Sequence, residues 1–175
     1  MKLIKPSFLI KEQESGLEGL YKQIEWAGRH CYKSHDKITE NSAKEFVDRM
    51  IKSGHGAVLE HGTVYLAITY NPEIEEERKH ISKYLINPYT ATTCKILESE
   101  HIPLSKQKLG EPIKVTKSIV YVTTNYRVIV ENNLQDDLKY LCEPTEYHEK
   151  RVCVRFICDR GVSHEYVRHK IFCVA

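Results

Sequence analysis

The chain has 175 residues, 41% of them hydrophobic and 29% charged, with a net charge of +2 from 26 basic and 24 acidic side chains. That length suits one domain whose core needs no disulfide staples, and the composition is that of an ordinary soluble globular protein. The near-neutral balance argues against non-specific nucleic-acid or membrane binding, although a local cluster can still bind a specific anion.

Residues 1–10 read as an opening strand, without the apolar core of a signal peptide. Residues 15–32 read as a helix: Leu17, Leu20, Tyr21, Ile24 and Ala27 recur at helical spacing, and Ser15 with Glu18 has the form of a capping box. A second helix spans about residues 40–53, with Phe46, Val47, Met50 and Ile51 as its apolar stripe and Gly54 as a natural stop. The segment 55–61 connects it to an alternating strand at 63–70, which Asn71-Pro72 ends.

Beyond that point the pattern weakens. Residues 73–83 suit a short exposed helix, and residues 87–116 look irregular. Residues 119–122 and 126–130 suggest a hairpin around Thr123-Thr124-Asn125, followed by a short helix at 134–142. Residues 152–158 alternate like a half-buried strand, Asp159-Arg160-Gly161 turns the chain, and Ser163 is a fitting N-cap for a helix that still runs at Ala175. The expected fold is α+β, a mostly antiparallel sheet flanked by helices, because strands do not alternate strictly with helices.

No apolar run approaches the ~20 residues of a membrane helix. Cys31, Cys94, Cys142, Cys153, Cys158 and Cys173 include no pair at zinc-ribbon or redox spacing, and they read as free thiols of a cytoplasmic protein. The chain has no G-x-G-x-x-G, no Walker A lysine loop and no G-x-S-x-G elbow, so a bound nucleotide or flavin would use another device.

Two polar clusters stand out. The first is Gly54-His55-Gly56-Ala57-Val58-Leu59-Glu60-His61. It could contribute metal ligands, but its count is short and it does not lie along one helix face, so a locally hydrogen-bonded connection explains it as well. The second is Ser163-His164-Glu165-Tyr166-Val167-Arg168-His169-Lys170. Its adjacent basic groups could hold phosphates, with Arg168 binding bidentately; the plain alternative is a solvated helix face.

Together the clusters resemble the flavin-dependent thymidylate synthase family. In that family a Gly-His…Glu-His segment leads from a helix into a strand, as Gly54-His55…Glu60-His61 does here. A strand, a Gly-Val-Ser-type turn and a helix with His-Glu-x-x-Arg-His-Arg follow; here they are residues 152–158, Gly161-Val162-Ser163 and residues 164–170. Upstream, Ala27-Gly28-Arg29-His30-Cys31-Tyr32 is similar to the family's Ala-x-Arg-x-Ser/Cys helix end. The resemblance covers about residues 16–70 and 150–175, which implies a single domain over 1–175 with an insertion at about 71–150. It departs from the family at Lys170, usually arginine, and the signature's later residues do not occur in this sequence, so the 175-residue chain alone is expected to be inactive.

The resemblance implies reductive methylation of dUMP to dTMP with methylenetetrahydrofolate, FAD and NADPH. It also implies a homo-oligomer, a tetramer in the family, whose sites form between subunits. No protein nucleophile and no metal take part; the protein positions the reactants while the cofactor carries the chemistry. His55, Ala57, Arg168, His169 and Lys170 fall at cofactor-contacting positions, with Ala57 offering only its backbone, and Glu165 and Arg168 fall at dUMP-contacting ones. Three other readings compete with it. They are a non-catalytic relative that binds flavin or nucleotide, a metal-dependent hydrolase using His55, Glu60, His61 and His164, and an interaction domain.

Overall fold

Leu20, Ile24 and Ala27, spaced for one helical face, are all buried on α1 (Gly16–Cys31). Phe46, Val47 and Met50 do the same for α2 (Ser42–Lys52), and the two helices pack together. These elements belong to a computed structural model that describes residues 5–99 and 115–168. The expected residues 1–4 of the opening strand lie outside the described residues.

The described chain forms two units. The first is drawn from Met1–Thr63, Asn125–Asn133 and Lys150–Ala175, the second from Val64–Thr124 and Leu134–Glu149. In the first unit a short helix, α3 (Gly56–Leu59), packs on α1 and α2, and α5 (Tyr126–Glu131) packs on α3. The Gln13 side-chain amide pairs with the Thr63 main chain, donating to its carbonyl at 2.8 Å and accepting from its N–H at 2.9 Å. The Tyr126 N–H donates to the Gly62 carbonyl at 2.9 Å. Two strands, β1 (Ser7–Lys11) and β5 (Cys153–Ile157), form an antiparallel ribbon with Phe8 opposite Phe156 and Ile10 opposite Val154. From β5 the chain enters α6 (Arg160–Arg168).

The second unit holds a three-stranded sheet in the order β2 (Thr63–Tyr70), β4 (Val115–Asn125), β3 (Ala91–Ser99). The alternation of β2 is real: Val64, Leu66 and Ile68 are buried and their neighbours are less so. Helix α4 (Glu75–Leu85) buries Ile81 and Tyr84, so it is amphipathic rather than simply exposed. A 3-10 segment, Gln135–Tyr140, replaces the expected helix at 134–142.

Four expectations are overturned. Residues 91–99, read as irregular, form strand β3 by pairing antiparallel with β4. The hairpin at 119–130 does not exist: β4 runs unbroken to Asn125, whose side chain accepts from the Val128 N–H at 3.0 Å and so starts α5. Ser163 is not a cap either. Asp159 Oδ1 accepts from the Val162 N–H at 3.1 Å, the helix opens at Arg160, and Ser163 Oγ donates back to the Arg160 carbonyl at 2.9 Å. The capping box at α1 is also unmade, since Ser15 makes no side-chain cap bond and Glu18 pairs with Lys22 at 2.8 Å. Mixed helix and antiparallel pairing agree with the α+β class.

Candidate functional site

The described residues of both polar clusters lie in the first unit, the first cluster around α3 and the second on α6. Two helix ends set up the first. At the end of α1, Lys33 takes a left-handed φ of 49°, the Lys33 N–H donates to the His30 carbonyl, and the Ser34 N–H donates to the Arg29 carbonyl at 2.9 Å. At the end of α2, Gly54 has φ 72°, its N–H donates to the Ile51 carbonyl, and the His55 N–H donates to the Met50 carbonyl at 3.0 Å. Both are Schellman closures, and the glycine at 54 takes the left-handed turn without a β-carbon penalty.

The two closures bring Tyr32 and His55 together. The Tyr32 hydroxyl lies 2.8 Å from His55 Nδ1, and the rings stack with centroids 6.4 Å apart and planes 29° from parallel. Both side chains are exposed. Ala57, in the first turn of α3, is exposed. Glu60 ends α3 and accepts from Arg127 Nη1 at 2.6 Å; Arg127 also donates to Glu131 at 2.7 Å. These bonds, to Glu131 first and Glu60 second, raise the arginine's already high pKa. Burial pushes the His61 imidazole below its ordinary value, with Glu60 pulling the other way.

Farther along α1, Arg29 donates to the buried Glu25 carboxylate from Nη2 at 3.1 Å and Nε at 3.2 Å, and its guanidinium lies 4.9 Å from the Phe46 ring centroid. His30 sits between Trp26 and His35, with ring centroids 5.2 and 4.2 Å away. Its Nδ1 is buried, and burial lowers its pKa, with smaller contributions from Arg155 and His35.

On α6, Arg160 Nε–H donates to His164 Nε2 at 3.2 Å, and Glu165 is exposed. Arg168 is the last described position of the helix, and its side chain is not among those described. His169 and Lys170 lie outside the described residues. His55, the N-cap of α3, and Ala57 in its first turn thus share one segment, and positions 165 and 168 share α6, both segments belonging to the first unit. Among the described residues, no three His, Cys, Asp or Glu side chains gather to hold a metal ion, so His55, Glu60, His61 and His164 do not form the cluster a metal-dependent hydrolase would need.

Sequence reasoning gave no role to Tyr32, although it lies in the Ala27–Tyr32 motif; its pairing with His55 spans 23 residues and leaves no periodic trace. Glu25 was missed too, although its spacing of four from Arg29 on a helix was a usable signal. Comparison with protein-family models, curated proteins and solved structures finds no match.

Proposed function

We propose that this chain carries flavin- and dUMP-facing elements of a flavin-dependent thymidylate synthase. The observation that supports this best is the local setting of the two motifs in one compact unit. His55 stands exposed at a glycine-closed helix end that leads through α3 into β2, and Glu165 stands exposed on a helix that leaves a strand through a capped turn. Both settings are those of the family signature.

The donor set suits an anionic dinucleotide and a nucleoside monophosphate. Arg155 and Arg160 are exposed cations on β5 and α6, and His55 offers an imidazole nitrogen at the surface. A guanidinium at 168 binds a phosphate through two parallel hydrogen bonds, which an ammonium cannot do, and a carboxylate at 165 accepts from ring N–H or hydroxyl groups. His169 and Lys170 extend the positive charge in sequence. FAD, when bound, supplies the redox chemistry by which methylenetetrahydrofolate and NADPH methylate dUMP. The residues of this chain orient the reactants and exclude water, and positioning of this kind is itself worth several kcal/mol, about 7–11 at its best.

Assembly as a homo-oligomer is part of the same reading. Phe8, Ile10, Val154 and Phe156 share one face of the β1–β5 ribbon, and Phe8 is 69%, Ile10 53% and Phe156 46% exposed. A two-stranded ribbon is marginal alone, so covering this face by another subunit would stabilise it.

Flavin retention tests the reading. The purified chain should carry or take up a flavin absorbing near about 450 nm and bind dUMP. Arg168→Ala should abolish flavin retention or dUMP binding. If both survive unchanged, the assignment of α6 is wrong.

A further inference from the structure

We infer that Tyr32 is a positioning residue for His55: its phenolic O–H donates to Nδ1 and holds the imidazole in the tautomer that keeps its proton on Nε2. The contact is 2.8 Å, well inside hydrogen-bond range, and the two rings lie 29° from parallel with centroids 6.4 Å apart. Of the two possible directions, donation from oxygen to nitrogen is favoured. An unprotonated imidazole nitrogen is a strong acceptor, whereas the phenolic oxygen shares its lone pairs with its ring. The bond made by one ring nitrogen decides what the other can offer.

The consequence concerns the ligand. With Nδ1 occupied, the exposed edge of His55 presents an N–H donor rather than a lone pair. Such a group recognises a carbonyl or ring-nitrogen acceptor, which the isoalloxazine of a flavin provides. The backbone favours the arrangement, because Tyr32 is the C-cap of α1, just before the left-handed Lys33, and the His55 N–H itself closes the end of α2. Phenylalanine at 32 would stack equally well but could not fix the tautomer.

The flavin part of this inference rests on the synthase reading; the tautomer part does not, and the experiment separates them. Long-range nitrogen-15 NMR on the full chain without ligand should show His55 almost wholly protonated on Nε2. Tyr32→Phe should shift it to a mixture of both tautomers while the fold is retained. In FAD titrations Tyr32→Phe should weaken binding about fivefold, the factor carried by one hydrogen bond of ordinary net strength. In a His55→Gln background the same change should have no further effect. An unchanged tautomer in Tyr32→Phe overturns the inference. An equal loss of affinity in the His55→Gln background also overturns it, because Tyr32 would then be acting on the ligand directly. If the wild-type chain binds no FAD, the synthase reading fails, and the tautomer measurement still decides the role of Tyr32.

Discussion

Replacing Arg29 with methionine should destabilise the protein by about 3–5 kcal/mol, the cost of breaking a buried ion pair from one side. Glu25 is 2% exposed and Arg29 10%. Without the guanidinium, the Glu25 carboxylate keeps one identified donor, Ser42 Oγ at 2.9 Å, which cannot replace two charge-assisted bonds. Methionine fills much of the aliphatic volume, so the loss is electrostatic rather than a cavity. The paired change Glu25→Leu with Arg29→Met removes both charges and should return stability to within about 1 kcal/mol of wild type. Urea unfolding of the wild type, each single variant and the double variant measures this, with midpoints compared at unchanged slope. The reasoning fails if Arg29→Met costs less than about 1 kcal/mol, the range of an exposed pair. It also fails if the double variant is no more stable than Arg29→Met. The outcome bears on function because Arg29 sits in the motif of the helix end that carries Tyr32. A structural Arg29 changes stability; an arginine that contacts a ligand would change binding at unchanged stability.

Three further outcomes follow from the packing and the titrating groups. A β-carbon on Gly28 would stand 2.5 Å from Phe46 Cζ and 2.8 Å from Val58 Cγ1, so Gly28→Ala should lower stability in thermal unfolding. Overpacking of about 1–3 kcal/mol outweighs the helix-propensity gain of about 1 kcal/mol, and an unchanged or higher midpoint would contradict the close approach of α1, α2 and α3. Tyr84→Phe removes the hydroxyl that donates to the buried Asp137, which also lies 2.7 Å from His80 Nε2, and should cost about 1.5–3 kcal/mol in urea; a silent change would mean the pair is not formed. The folded-state pKa of His61 is depressed, so its contribution to stability is full above the unfolded value of about 6.5 and is lost as pH falls toward the folded value. His61→Gln should therefore flatten the acid-side decline, by up to about 1.4 kcal/mol per pH unit, and equal slopes in both proteins would refute it.

Where burial follows a simple period, the sequence was readable. Leu20, Ile24 and Ala27 of α1, Phe46, Val47 and Met50 of α2, and Val64, Leu66 and Ile68 of β2 are buried as their spacing indicates, whereas Leu17 at the start of the α1 stripe stays exposed and Tyr21 and Ile51 are half-buried. The failures have physical causes. Residues 126–130, rich in valine and isoleucine, suit a strand by propensity, but Asn125 caps a helix there and Tyr126, Val128 and Ile129 are buried on it. Strand β3 has little alternation and owes its form to pairing with β4, whose paired residues run from Ser99 opposite Val115 to Ala91 opposite Thr123 and so lie outside any local window. Asp159 outcompeted Ser163 as a cap because its carboxylate reaches the Val162 N–H. At the candidate site, the order of motifs marked His55 and Glu165, whereas the Tyr32–His55 and Tyr84–Asp137–His80 contacts depend on helix ends and loops meeting in space, which no local pattern encodes.

The proposed synthase role requires this chain to bind a flavin beside a pyrimidine nucleotide. Titrating FAD into the purified full chain, with and without dUMP, tests it most directly through the flavin's absorbance and fluorescence. The account predicts saturable binding, a spectral change when dUMP is added, and weaker binding in His55→Ala. Absence of saturable binding under both conditions, or binding that neither dUMP nor His55→Ala alters, would contradict it.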